Sequence, residues 1–600
     1  MFEQGLGFVH HRGMSRIPAL PPRWAAALAL LLCLLAAMAL TTAHAQTQTL
    51  PSTSSADVLP SLGDAGDMTP LAERQLGDLI VRDLFRDPTF MDDPIISEYA
   101  DGIWRRLLAG AQQRGTLTPE LAGRYAWRIL LMRDREVNAF AMPGGYMGLN
   151  LGLIGIVDSR DELAAVLAHE MSHIMQRHIA RMIGRQNREQ PLMLAAMAAA
   201  ILAGIHNPEV GVAALAGGQA AAISRELSFS RDMEREADRV GYSVFVQAGF
   251  NPWGFVSMFE KFQAASRIND NGDWPFLRDH PLTTERIADM QERVHQLQQQ
   301  PKPAPDWEAL LIAARARVLA RPGVDMLRMW AHAPEATDFA SLPPPKRAAV
   351  LYAAALSYAQ LDDPAKAQAL AAQLSTLVTG NAQAVHQARL LQADLALRAG
   401  QPERALQWLT NSHATDATQL SPHTANTTTT ATTAHAANQP KAAGTTRIEL
   451  GSASDLDSNA QAERNNPTDP IHFSLAGRAE RLLRATAQIK TGQSASIKIA
   501  AASLQAWVSD HPQDALAWQT LAQADQALGY ALRALRADGE AQMANLDYAA
   551  AIDRWRAAQD YARQHQITAD DLIEASIVEV RLKAARDAQK RQKEEEKKWG

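Results

Sequence analysis

Cysteine is almost missing from this chain: its 600 residues contain one, Cys33. That excludes a disulfide framework and any cysteine-built zinc ribbon. A surplus of one charge sign is missing too, with 59 Lys and Arg against 65 Asp and Glu. No domain gathers a basic excess, which argues against a nucleic-acid partner. Apolar runs long enough to span a bilayer comfortably are also lacking. What is present is a globular balance, 47% apolar and 21% charged, which excludes a wholly disordered chain. The length suits about two to four domains.

The first segment points to export. Arg12, Arg16 and Arg23 precede an apolar stretch over 24–40, and Ala43-His44-Ala45 follows as a small-x-small cleavage site. This pattern predicts a signal peptide over 1–45. Cys33 follows Leu32, a poor lipobox, so the mature chain is expected to be free of cysteine, as suits the oxidising periplasm. Residues 46–64 are rich in Ser, Thr, Pro and Gly and read as a linker.

The pattern over 65–300 predicts an α+β domain, mostly helical with a small β-sheet. Asp93-Pro94 reads as a helix cap with proline at the first helical position, and Ile96, Tyr99, Ala100, Ile103 and Leu107 mark one face. Strands are expected over 127–132, 137–142 and 146–151, with Pro143-Gly144-Gly145 turning between the last two. A mostly apolar helix is expected over 161–181. The stretches 191–205 and 211–223 are nearly all apolar, broken by His206-Asn207-Pro208-Glu209. They read as a buried helical hairpin; the sharper alternative is an apolar plate making peripheral contact with a membrane surface. A membrane-integral protein is a third, weaker reading of the same residues.

Residues 301–306 form a Pro-rich linker. An all-α region follows. Residues 307–411 are Ala/Leu-rich, and the segments opening at Asp363-Pro364 and Gln401-Pro402 resemble the second helix of a tetratricopeptide repeat. Residues 412–470, rich in Thr, Ala, Asn and Ser, cannot bury enough apolar area and are expected to be disordered. Helices resume over 471–600, where Trp518, Leu521 and Ala522, then Tyr548, Ala551, Ile552 and Trp555, repeat the large-and-small packing pattern. The charged run from Lys590 to Lys598 reads as a solvated helix end.

The chemistry sits in Ala168-His169-Glu170-Met171-Ser172-His173. On a helix, positions i and i+4 share a face, so His169 and His173 can present ring nitrogens to one ion. Neutral imidazoles suit Zn²⁺, and a metal that lowers the pKa of water towards roughly 7 lets a carboxylate such as Glu170 serve as base. His178 does not fit the i, i+4 spacing and reads as a surface residue or a neighbour of a ligand. A third ligand must come from elsewhere. The segment from Ser230 to Asp238 is helical and acidic, with Glu234 and Asp238 on one face. One of them can bind metal while the other hydrogen-bonds a ligand histidine. The bland alternative is a solvated face of paired acids and bases. Phe140, Ala141 and Met142 precede the glycine turn and suit an edge strand to which an extended substrate could pair.

H-E-x-x-H, E-x-x-x-D within RDMEREADRVG, NAFAMPGGYMGLNLGLI and DHPLTTERI together resemble the M48 family of zinc metallopeptidases, strongly over 65–300. The resemblance implies a gluzincin-type fold, one Zn²⁺ per chain, and His169, His173 and Glu234 as its ligands. It implies Glu170 as the general base, Asp238 as a group orienting a ligand, and Arg286 near the site, on Asp238 or the oxyanion. His280 is implied as a latch that occupies the fourth metal position and holds the enzyme latent. Joined to an export signal and C-terminal repeats, the resemblance implies a periplasmic endopeptidase. Its partners would be unfolded or stalled outer-membrane β-barrel proteins, including the lipopolysaccharide-assembly porin, and the barrel-assembly machinery, reached through the repeats. The alternative is an assembly chaperone or binding module with a mostly latent protease site.

Overall fold

A computed structural model describes residues 68–186, 231–267, 274–280, 282–296, 305–410, 477–566 and 568–599. The expected signal peptide, the 46–64 linker, the apolar stretch 191–223, residues 301–304 of the Pro-rich linker and the 412–470 insert lie outside them.

Capping residues followed by proline set the first helix starts. Thr69, Asp93 and Thr118 cap α1 (Pro70–Arg86), α2 (Pro94–Gln113) and α3 (Pro119–Arg124), each side-chain oxygen accepting from a backbone N–H of the first turn. The five apolar residues expected on one face of α2 are all buried. Strands β1 (Phe90–Met91), β2 (Arg128–Met132), β3 (Ala139–Met142) and β4 (Tyr146–Asn150) form one sheet in the order β1-β2-β4-β3. Two residues of β1 are too few for any alternating pattern, and sequence reading missed this strand. β2 and β4 run parallel, and the outer pairs are antiparallel, so β3 is a margin of the sheet. The expected turn is a 3₁₀ turn with Gly144 and Gly145 at φ 75° and 87°, a left-handed conformation that glycine adopts without strain.

After α4 (Leu151–Ile156), helix α5 (Arg160–Met175) starts at Ser159, whose hydroxyl accepts from the Glu162 N–H. Every residue from Glu162 to Met175 is buried, so α5 is the central helix of its domain. The single helix expected over 161–181 is broken. Arg177 takes a φ of 54°, and α6 (His178–Gln186) begins in a new direction. A left-handed residue costs about 1–2 kcal/mol. Arg177 is held there by Glu73, 2.9 Å from its Nε, and by the Met68 carbonyl. α7 (Arg231–Gln247) crosses α5 at Gly241, where a Cβ would fall 2.8 Å from the Ala168 carbonyl oxygen. α8 (Trp253–Arg267), α9 (Pro275–Asp279) and α10 (Thr284–Gln296) complete this part.

The all-α region follows: α11 (Trp307–Leu319), α12 (Val324–His332), α13 (Pro344–Gln360), α14 (Pro364–Leu377), α15 (Ala382–Arg398), α16 (Pro402–Thr410), α17 (Arg478–Lys490), α18 (Ser494–Asp510), α19 (Ala515–Ala527), α20 (Ala531–Ala544), α21 (Tyr548–Gln564) and α22 (Ala569–Trp599). Asp363-Pro364 and Gln401-Pro402 do open helices, α14 and α16. One apolar core runs from Ile96, Leu107 and Leu167 to Ile312, Leu390, Leu409 and Leu483, so the all-α region shares its interior with the sheet-bearing part. Two arginines seal the junction. Arg315 of α11 donates to Asp93 at 2.8 and 2.6 Å and to Asp394 of α15 at 2.9 Å. Arg478 of α17 donates to both Asp92 and Asp514. The charged run at the end of α22 is more than a solvated tip, because Glu596 pairs with Arg82 of α1 at 3.0 Å. Among the described residues no helix is long and apolar enough to cross a membrane.

Two outcomes follow from this interior. Arg315→Ala leaves Asp93 buried without its cation and Asp394 with Arg398 alone, and should cost about 3–5 kcal/mol in urea unfolding; an unchanged midpoint would contradict the clamp. Burial pushes the Asp525 carboxyl of α19 up to about 6, with Arg533 and Arg536 opposing only in part. The folded chain therefore takes up a proton between about pH 4 and 6, and stability falls as pH rises through that window. Asp525→Asn should raise the melting temperature at pH 7.5 and leave it nearly unchanged below pH 4; the reverse pattern would refute the assignment.

Candidate metal centre

Three elements converge on one point. α5 supplies His169, Glu170 and His173; α7 supplies Glu234; His280 follows the short helix α9. All five are buried. His173 Nε2 lies 3.1 Å from His169 Nε2, which lies 3.4 Å from His280 Nδ1. Glu234 Oε1 is 2.9 Å from His280 Nδ1 and 3.5 Å from His173 Nε2, and its Oε2 is 3.4 Å from His169 Nε2. Ligands about 2.0–2.1 Å from a tetrahedral ion sit about 3.3 Å from one another. These contacts are near that spacing, all four donor atoms lie within 4.8 Å of one another, and three imidazoles with one carboxylate are a donor set that Zn²⁺ accepts. The residues present therefore fit a metal ion.

The surrounding groups hold these donors in place. Asp238, one turn after Glu234 on α7, lies 2.9 Å from His169 Nδ1. Arg286 of α10 donates to Asp238 at 2.6 and 2.8 Å and lies 2.8 Å from Glu234 Oε2, so it bridges both carboxylates. Of the two expected partners for Arg286, the structure places it on Asp238, and adds Glu234. His280 stacks on Phe276, which stacks on Phe262, with ring centroids 4.7 Å apart in each pair. Glu170 is not a fifth donor. Its Oε1 is 3.4 Å from His280 Nε2, and its Oε2 accepts the Ala141 N–H of β3 at 2.9 Å. Phe140, Ala141 and Met142 thus lie on the sheet margin beside α5.

Burial opposes charge on His169, but hydrogen bonds to Asp238 and Glu234 overcome it and lift the ring to about 10. Burial and the neighbouring His169 push His173 well down, which leaves its lone pair free of a proton. Burial works against the Glu234 carboxylate, yet the charge on His280 and hydrogen bonds from His169 and His280 hold it well below the usual range. Glu170 goes the other way: burial raises it, offset in part by the charges of His280 and His169. A raised carboxyl next to a cation site is suited to carrying a proton in both directions.

Sequence reading left His178 between two roles, and missed Glu236. His178 is fully buried, with Nδ1 2.9 Å from His173 Nδ1 and Nε2 3.1 Å from Glu236 Oε2. The spacing of five gave no warning, because only the break at Arg177 turns His178 back onto its neighbour. The acidity of the α7 segment was a signal for Glu236, but one shared with every acid in it.

A buried histidine–carboxylate cluster built around a central helix, with the Glu170 carboxyl between it and a sheet margin, is an arrangement suited to a metallopeptidase. Residues 117–294 match the model of peptidase family M48, and the chain carries an M48 peptidase domain. Among its relatives, the Escherichia coli beta-barrel assembly-enhancing protease is 34% identical over 40% of this chain and 48% of that protein. A Vibrio cholerae relative is 35% identical over 53% of this chain and 63% of its own length. The mitochondrial metalloendopeptidase OMA1 of Schizosaccharomyces pombe is 32% identical over 28% of this chain and 46% of that protein. The chain thus spans about half to two thirds of the length of these relatives.

Zinc titration of the chain against a chromogenic chelator should give one bound ion. Glu234→Ala should weaken it by more than the roughly 10–100-fold that loss of an orienting partner costs. Equal affinity in that variant would remove Glu234 from the donor set.

Proposed function

We propose that this chain is an exported, zinc-dependent endopeptidase of the periplasm. It would degrade misfolded or stalled outer-membrane β-barrel proteins, the lipopolysaccharide-assembly porin among them, and assist their assembly. The observation that carries this reading is Glu170 held between the donor cluster and the backbone of β3. The names of the bacterial relatives support the substrate class.

In this reading His169, His173 and Glu234 hold Zn²⁺. Bound there, the ion supplies a Lewis acid and lowers the pKa of water. Glu170 takes the proton of the attacking water and passes it to the leaving nitrogen. Asp238 fixes the ring of His169, and Arg286 keeps the two carboxylates of α7 from repelling each other. β3 offers its margin to an extended polypeptide, and the Ala141 N–H now bound by Glu170 belongs to that margin. The helices after residue 307 act as tetratricopeptide-like repeats that grip the client or the barrel-assembly machinery.

A second reading has its own observation. His280 lies among the donors and 2% exposed, in the position a substrate-ready site keeps open. A chain in this state is latent, and its helices would serve as an assembly module until His280 leaves. Cutting the chain after Gln300 would not separate the two roles, because Ile312, Leu390 and Leu483 complete the shared core.

Casein digestion separates the readings. Glu170→Gln should lose digestion, by about 10²-fold or more, while still binding zinc; full digestion by that variant would refute the mechanism. His280→Ala should digest casein faster than the unmodified chain, and an unchanged rate would remove the latch.

A further inference from the structure

The two ligand histidines of α5 are oriented by different means. His169 Nδ1 meets the carboxylate of Asp238 directly, at 2.9 Å. His173 Nδ1 faces a second imidazole, His178 Nδ1, at 2.9 Å, with the two rings nearly perpendicular at 80°. His178 Nε2 lies 3.1 Å from Glu236 Oε2, and Arg181 holds that same oxygen at 3.0 Å. We propose that His178 and Glu236 are positioning residues that fix the tautomer and ring angle of His173 and so set the affinity of the metal site. This inference rests on the reading that His169, His173 and Glu234 hold the ion.

The hydrogen-bond chemistry admits one assignment along this line. If His173 gives its Nε2 lone pair to a metal, its proton must sit on Nδ1. That N–H then donates to His178 Nδ1, which must be the acceptor. The proton of His178 is thereby placed on Nε2, where it donates to Glu236. Each link dictates the next, and the carboxylate end, countered by Arg181, favours this polarity over its reverse. The relay carries the orienting carboxylate away from the crowded centre to Glu236, whose side chain is 26% exposed. The fold supplies the geometry through one feature, the left-handed Arg177, without which His178 would point elsewhere on a continuing helix.

Packing alone offers a rival explanation, since a buried imidazole fills space whatever it bonds. The two differ in what glutamine and leucine do at position 178. Glutamine can accept with its oxygen and donate with its nitrogen, as His178 does; leucine fills the space and does neither. Zinc affinity of the full chain, measured by chelator competition, should fall about 10–100-fold in His178→Leu and recover most of that loss in His178→Gln. Glu236→Ala, on the accessible end, should lose affinity by a smaller factor with no change in the melting temperature of the metal-free chain. The proposal is overturned if His178→Leu binds zinc as tightly as the unmodified chain. It is overturned equally if leucine and glutamine lose affinity alike, with matching falls in metal-free melting temperature. Failure of the unmodified chain to bind zinc would instead end the underlying metal assignment, so the two failures are distinguishable.

Discussion

Three imidazoles and a carboxylate crowd into one buried point, their donor atoms all within 4.8 Å of one another. Lone pairs and negative charge brought together out of water repel, so the cluster needs compensating positive charge, from Arg286, from a proton on His169 or from a bound cation. The rest of the peptidase domain answers to that constraint. α5 is buried on all sides so that two of its turns face the point. α7 approaches closely enough to deliver a carboxylate because Gly241 has no side chain in the way. Arg286 lies against two acids that would otherwise oppose one another.

One short run of α7, from Glu234 to Asp238, serves the centre three times. Glu234 enters it, Asp238 braces His169, and Glu236 reaches His178 from the flank. The all-α region contributes indirectly. By sharing a core and clamping the adjacent Asp92 and Asp93 between Arg478 and Arg315, it fixes the start of α2, against which α5 and α7 pack. Peptidase and helices are in that sense one folded body, and a change in the helices has a physical route to the site.

Much of this was legible in the sequence, for definite reasons. His169 and His173 announce themselves by a spacing that only a helix makes meaningful, and Glu234 and Asp238 by an acidic helix of the same period. The caps at Asp93 and Asp363 carry their own proline. What stayed hidden depends on breaks and on long-range packing. His178 is five residues from His173, a spacing without helical meaning until Arg177 turns the chain, and Arg177 is neither glycine nor proline. Strand β1 has two residues. The core common to Ile96 and Ile312 could not be foreseen, because alanine-rich helices bury several faces and carry no mark of which neighbour each will meet. The clamp at Asp92 and Asp93 joins residues more than two hundred positions apart.

The account stands on a single ion held by these side chains. X-ray absorption at the zinc edge of the zinc-loaded chain tests this most directly. The expected spectrum is four-coordinate, with imidazole scattering from His169 and His173, joined by a third imidazole when His280 occupies the last position, and a carboxylate oxygen at about 2.0–2.1 Å. A six-coordinate, water-dominated shell, or zinc that washes away in buffer, would contradict it.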